Sequence, residues 1–369
     1  TTRDIDNFIF SSNHIPTYKN RTELMLEYKE ASSLCAYLKR AAKRKIIYNY
    51  VVKKRTNERI KMALDLGFKH EQILFVDHHL SHASAAYFAS PWWRNEKVLV
   101  LTNDGGGDGL CATVSIGENG KLTKLVSIPV SESVGYVYSM ITFLLGMVPE
   151  EHEYKVMGLA PYGKPDYIKE MQDVLMLEED GLFKLNLDYF IHQKNGVTTR
   201  ILEDNDPTPS IVYSEKFKEI FGVARKHSEP ITEHHRNLAA SIQKHCEEAI
   251  FHVLRKLHSL TGLDSVCIAG GVAQNSVANG KITLNTPFKY VYIPPAGHDA
   301  GTSMGSALYL YNHILNNRRM PPMFNPYTGS KSDNSEIESL LQQKNITYIR
   351  LEDEALFNKV TDKLIDGGV

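Results

Sequence analysis

Cysteine is scarce: four residues in 369, at positions 35, 111, 246 and 267, with no CxxC pair or other framework spacing. That excludes a disulfide scaffold and a zinc ribbon, and a reducing cytoplasm fits best. Long apolar runs are also missing. The longest candidate is the short stretch from Ile141 to Val148, so no segment is expected to span a bilayer. The opening TTRDIDNFIF lacks a basic region followed by an apolar run, hence no secretory signal is read. Charge of one sign does not accumulate either: 42 Lys and Arg stand against 43 Asp and Glu, a formal net charge of −1. No strong field draws the whole molecule onto nucleic acid or acidic lipid. GxxxxGK[ST] and GxGxxG occur nowhere, which excludes a P-loop and a dinucleotide fingerprint. What is there is ordinary globular material, 42% hydrophobic and 23% charged, enough for a sizeable core in two or three domains.

The order of patterns predicts an α/β chain. Residues 22–66 read as helical, with ten Lys or Arg between Lys39 and Lys61 against the single acid Glu58. A solvated face explains that run, and a local anchor for phosphate or an acidic partner is the sharper alternative. A strand at 73–76, a helix over 78–88, a strand at 97–103, a Gly-rich turn at 104–109 and a strand at 110–116 follow. Asn119-Gly120 predicts a hairpin into an arm ending near Val130. Residues 131–160 read as buried helix ended by Pro161-Tyr162-Gly163, and 166–230 as polar helical or looped insertions containing LEDNDPTPS. Apolar positions from Leu238 to Leu257 recur at helical spacing. A buried strand at 265–269, a helix from 273, a strand at 290–293 and a helix to 313 come next. Strands that deliver Gly turns, with helices between, argue a sheet covered by helices. Pro321, Pro322 and Pro326 mark a linker, and both chain ends read as cut.

Five stretches carry chemistry. In DHHLSHASAAYF, His78 and His82 lie four apart on the predicted helix, so both imidazoles project from one face and can bind one ion. His79 points about 100° away and is the poorer candidate. TNDGGGDG places Asp104 after a strand, and PPAGHDAGTS places Asp299 between a strand and a helix. Two imidazoles and two carboxylates form a mixed N/O set suited to a first-row divalent metal such as iron, manganese or zinc. IAGGVAQN sets Gly270 and Gly271 between a buried strand and a helix, where bare backbone can meet a sugar or adenine ring and Asn275 can hydrogen-bond it. Lys155, in EYKVMGLAPYG, is either snorkelling or poised to meet a phosphate. Each feature also has a plain structural alternative: a satisfied core His pair, Asp as turn-former or cap, Gly for close packing.

Jointly, FVDHHLSHASAAYFASPW, LTNDGGGDG, VSESVGYVYSMITFLLGM, EYKVMGLAPYGKP, IAGGVAQNSVANG and GHDAGTSMGSA, in this order over residues 70–310, resemble the O-carbamoyltransferases of the nodulation-protein and antibiotic-tailoring type. The resemblance implies a two-lobed fold of the actin and heat-shock-chaperone ATPase (ribonuclease H-like) class, similar to the tRNA threonylcarbamoyladenosine-forming protein, with a YrdC-like carboxyl-terminal domain in cis. Lobes are expected at 1–165 and 166–325, with 326–369 as a linker and the start of the third unit. The implied reaction moves a carbamoyl group from carbamoyl-adenylate, made from carbamoyl phosphate and ATP, to a hydroxyl of a small sugar-like acceptor. The implied metal ligands are His78, His82, Asp104 and Asp299, with iron ahead of manganese and zinc. Gly106, Gly107, Gly270, Gly271 and Asn275 would contact the nucleotide, Lys155 would lie near its phosphate, and Asp108 is the expected base. The family's amino-terminal His-Asp strand and its carboxyl-terminal block rich in Gly, Arg and Phe are not found in this chain. Threonylcarbamoyl transfer to tRNA and a nucleotide- and metal-binding module without turnover are the alternatives. The charge balance argues against nucleic acid, and an oligomer is left open.

Overall fold

A computed structural model describes residues 5–13, 34–92, 96–191, 199–201, 207–209 and 213–368. Residues 22–33 of the expected first helix and most of LEDNDPTPS lie outside the described residues, as do the side chains of the basic run before Tyr50. The chain forms two compact units, 1–324 and 325–369.

In the larger unit, β1 (Phe8–Phe10) is followed by α1 (Leu34–Asp65), and β2 (Ile73–Phe75) pairs with β1 in parallel. Asp77 caps α2 (His78–Phe88), its Oδ1 accepting from Leu80 N at 2.9 Å. The main sheet begins with β3 (Val98–Gly107), β4 (Leu110–Glu118) and β5 (Lys121–Pro129), an antiparallel meander. The expected Asn-Gly turn is present, with Asn119 and Gly120 at φ 53° and 74°, which suits the twist of a two-residue hairpin. The Gly-rich turn expected over 104–109 is shorter than that. β3 runs through Asp104 to Gly107, with a register shift between Asn103 and Gly107, and the reversal falls on Asp108 and Gly109 at φ 49° and 84°. Asp-Gly is itself a two-residue hairpin turn, and its pairing overrides the low strand propensity of three glycines.

The expected helix over 131–160 is two helices, α3 (Val134–Leu144) and α4 (Glu153–Leu159). Gly146, at φ 70°, ends α3: its N–H bonds Phe143 O and the Met147 N–H bonds Thr142 O, a Schellman closure. Then come α5 (Ile168–Val174), the hairpin β6 (Leu175–Leu177) and β7 (Phe183–Leu185), and β8 (Thr199–Ile201) paired with β9 (Pro207–Pro209). α6 (Glu215–Phe221) and the 29-residue α7 (Glu233–Thr261) follow. Read from sequence as insertions, residues 166–230 in fact contribute Leu185, Tyr189, Phe217 and Phe221, all buried, to the same core as Leu99 and Val114 of the sheet and Leu238 and Leu254 of α7.

β10 (Ser265–Ala269) joins β3 in parallel and β11 (Tyr290–Tyr292) joins β10 in parallel, giving the order β11-β10-β3-β4-β5. β3 and β10, central in the sheet, are almost wholly buried, as an apolar run covered on both faces requires. α8 (Thr302–Leu308) lies against α2 so closely that a Cβ on Gly305 would stand 1.9 Å from Ser81 O. In the smaller unit, α9 (Asn334–Gln343) has an Asp333/Glu336 capping box, and neither it nor α10 (Asp353–Ile365) contains a buried residue. Among the described residues no helix is long and apolar enough to cross a membrane.

Candidate metal centre

α2 puts His78 and His82 one turn apart, β3 brings Asp104 beneath them, and the turn ahead of α8 brings Asp299. One ligand atom from each of the four lies within 4.8 Å of all the others. His78 Nε2 is 3.0 Å from Asp104 Oδ2 and 3.5 Å from Asp299 Oδ1. His82 Nε2 is 3.2 Å from Asp299 Oδ1 and 3.1 Å from His78 Nε2. Atoms about 2.0–2.2 Å from a tetrahedral divalent ion stand about 3.3 to 3.6 Å apart; these separations are close to that, and His82 Nε2 to Asp104 Oδ2 is wider at 3.9 Å. His82 is fully buried, and its Nδ1 has no hydrogen-bond partner among the described residues.

The surroundings hold these atoms in place. Gly271 N donates to Asp104 Oδ1 at 2.7 Å, leaving Oδ2 toward the imidazoles. Burial would raise the Asp104 carboxyl, but the His78 hydrogen bond, the neighbouring His82 and the Gly271 N–H outweigh it and keep it well below the usual carboxylate range. For His78, burial would lower the pKa, whereas the Asp104 hydrogen bond and the charges of Asp104, Asp299 and Asp108 reverse this and raise it. His79 faces away, as its offset predicts: Nδ1 meets Thr102 Oγ1 at 2.8 Å and Nε2 donates to Leu110 O at 3.0 Å. Burial brings it down to about 4.

A cavity of about 510 Å³ opens beside the cluster, within the range of small-molecule sites. Asp104, Gly105, Gly106, Gly271, Asn275 and Asp299 are among its lining residues. Gly107 and Gly270, also expected at the nucleotide, do not line it and have steric duties. A Cβ on Gly107 would fall 2.0 Å from the His78 ring, and Gly270, at φ 104°, would put one 2.2 Å from Asn103 O. Asn275 accepts from Ala278 N at 3.0 Å and exchanges two hydrogen bonds with Gln243, at 2.9 and 3.0 Å.

Two expected catalytic groups lie outside the lining. Asp108 accepts from Ser12 Oγ at 2.8 Å, Asn13 N at 2.8 Å and His78 N at 2.9 Å. Lys155 is exposed, with Nζ 2.9 Å from His152 Nε2. Among the described residues none of 166–230, expected to help line the pocket, lines the cavity; the end of β3, α3, α4, Cys246 of α7 and the turns after β10 and β11 supply the lining. Sequence reasoning also passed over Glu150 and Glu153 in the cavity wall. Nothing in their spacing marked them, because the break between α3 and α4 that turns them inward was not foreseen.

Comparison with known proteins agrees with the residues. The family model described as carbamoyltransferase N-terminus matches residues 1–308. Uncharacterized protein sll1178 of Synechocystis is 36% identical over 80% of this chain and 47% of its own length. Nodulation protein NolNO of Sinorhizobium fredii is 35% identical over 66% of this chain and 32% of its own. For nodulation protein NolO of Bradyrhizobium diazoefficiens the figures are 34%, 65% and 39%. The crystal structure of HypF from T. kodakarensis aligns with TM-score 0.34 and 14% identity over 71% of this chain and 39% of that one, a likeness too distant to argue from. The chain spans less than half the length of these curated relatives. With five-sixths of its residues under one family model, the chain belongs to the carbamoyltransferase family, matching that family's amino-terminal part.

Proposed function

We propose that this chain is the transfer portion of a metal-assisted O-carbamoyltransferase. In this reading it moves a carbamoyl group from carbamoyl-adenylate, made from carbamoyl phosphate and ATP by a YrdC-like domain in the longer protein, to a hydroxyl of a small sugar-like acceptor. The observation that carries the reading is the four-ligand cluster at the wall of a cavity flanked by two glycine turns. The fold proposed with it is the two-lobed actin-like ATPase fold. In its favour is a sheet in which an antiparallel meander is extended by two parallel strands, β10 and β11.

The acceptor oxygen forms a bond to the carbamoyl carbon, the bond to the phosphate oxygen breaks, and AMP leaves with that electron pair. His78, His82, Asp104 and Asp299 would hold the divalent ion, which when bound supplies Lewis acidity toward a phosphate or carbamoyl oxygen. Gly105, Gly106 and Gly271 keep side chains out of the space the ligand occupies. Asn275, fixed by Gln243 and Ala278, orients the sugar or base. Lys155, next to the lining residue Tyr154, is proposed to swing from His152 toward the phosphate. Asp108, whose carboxylate already accepts three hydrogen bonds, is proposed to hold the α2 N-terminus and His78, while solvent takes the acceptor proton.

The test is calorimetric binding of AMP and of a non-hydrolysable ATP analogue, with Mn²⁺ and after its removal by chelator, followed by release of AMP on adding ATP, carbamoyl phosphate and the longer protein's remainder. Metal-dependent binding and AMP release are expected. Binding without release favours the module without turnover, and absence of binding overturns the reading.

A further inference from the structure

Acids dominate the cavity wall: Glu150, Glu151 and Glu153 join Asp104 and Asp299, and no Lys or Arg lines it among the described residues. An anionic group entering it therefore meets no cationic side chain in the lining, and beyond the proposed ion and an incoming Lys155 it has neutral donors to hold it. Four hydroxyl side chains line the cavity, those of Tyr136, Tyr138, Ser139 and Tyr154. Three are accounted for. Tyr138 Oη donates to Gln243 Oε1 at 2.9 Å, Ser139 Oγ donates to Glu153 Oε1 at 2.7 Å, and Tyr154 is 61% exposed to solvent.

Tyr136 is the fourth, and its hydroxyl has no hydrogen-bond partner among the described residues. Its place relative to the metal cluster is fixed through one side chain. Ser133 Oγ accepts from Tyr136 N at 3.2 Å and donates to Asp104 O at 3.3 Å, so the first turn of α3 is tied to the backbone of a proposed ligand. A Cβ on Gly106 would stand 3.5 Å from Tyr136 Oη, so the hydroxyl faces the bare backbone of the glycine run. Burial beside Glu150 and Asp104 pushes the phenol up to about 12, which keeps it a donor at neutral pH.

We propose that Tyr136 is an anion-binding residue of this cavity, its hydroxyl donating a hydrogen bond to a phosphate oxygen of the ligand held between the Gly105-Gly106 backbone and the His78/His82/Asp104/Asp299 cluster. The proposal rests on the nucleotide and carbamoyl reading above. Two sources of that phosphate fit, carbamoyl phosphate and the adenylate.

Tyr136→Phe removes one oxygen and keeps the ring. Wild type and variant, each with Mn²⁺, are titrated calorimetrically with carbamoyl phosphate and with AMP. The variant should bind at least one probe about tenfold or more weakly, with metal content and melting temperature as in wild type; the weakened probe identifies the source. Equal affinity of both proteins for both probes overturns the assignment and leaves the functional reading standing. Metal lost along with affinity also overturns it, because the effect then passes through the cluster. A wild-type chain that binds neither probe overturns both readings.

Discussion

His79 and His82 stand three residues apart on α2 and have opposite tasks. His82 points into the cluster, so His82→Ala should lower the metal content of the purified chain at least about tenfold, as loss of even an outer partner does; elemental analysis checks this, and a variant with full metal and normal transfer would sink the site. His79 is structural and predicts an acid sensitivity. Its folded pKa is about 4 against 6.5 unfolded, so between those values the unfolded chain binds the extra proton. Its contribution is complete above about pH 6.5 and lost as pH falls toward 4, amounting to about 2 kcal/mol by pH 5. Urea unfolding at pH 7 and pH 5 should show that loss in wild type and less of it in His79→Gln. Both placements were legible from the i, i+4 spacing and the turn of the helix. Tyr136 was not: VGYVYS offers two tyrosines at i and i+2, and only their partners in three dimensions distinguish the free hydroxyl from the committed one.

At the scale of elements, the turn after β10 makes the sharpest demand. Gly270→Ala would place a methyl against Asn103 O at a positive φ. It should cost about 2–4 kcal/mol, read as a lower urea midpoint with unchanged slope. The α2 helix, the Asn-Gly hairpin, α7 and β10 were legible because each has a strong period or a punctuating residue. The extension of β3 through the glycines was not, since pairing with β4 decides it and propensity opposes it. The break between α3 and α4 had a local signal in Gly146 and Pro149, masked by the apolar run through Leu145. Residues 166–230 looked uninformative because their core residues are scattered among short elements with no single period.

At the scale of the whole molecule, the net charge of −1 conceals an acidic cavity wall, a feature no composition reveals. The candidate ligands come from separated parts of the chain: His78 and Asp104 are 26 residues apart, His82 and Asp299 are 217 apart. All four cysteines are free. An ion shared by those side chains would therefore serve this disulfide-free chain as a reversible staple, closing one short and one very long loop and removing that freedom from the unfolded ensemble. Metal at about 100 times its Kd should then stabilise the fold by about 2.7 kcal/mol. Chelation should lower the melting temperature of wild type while leaving His82→Ala, already unstapled, unmoved.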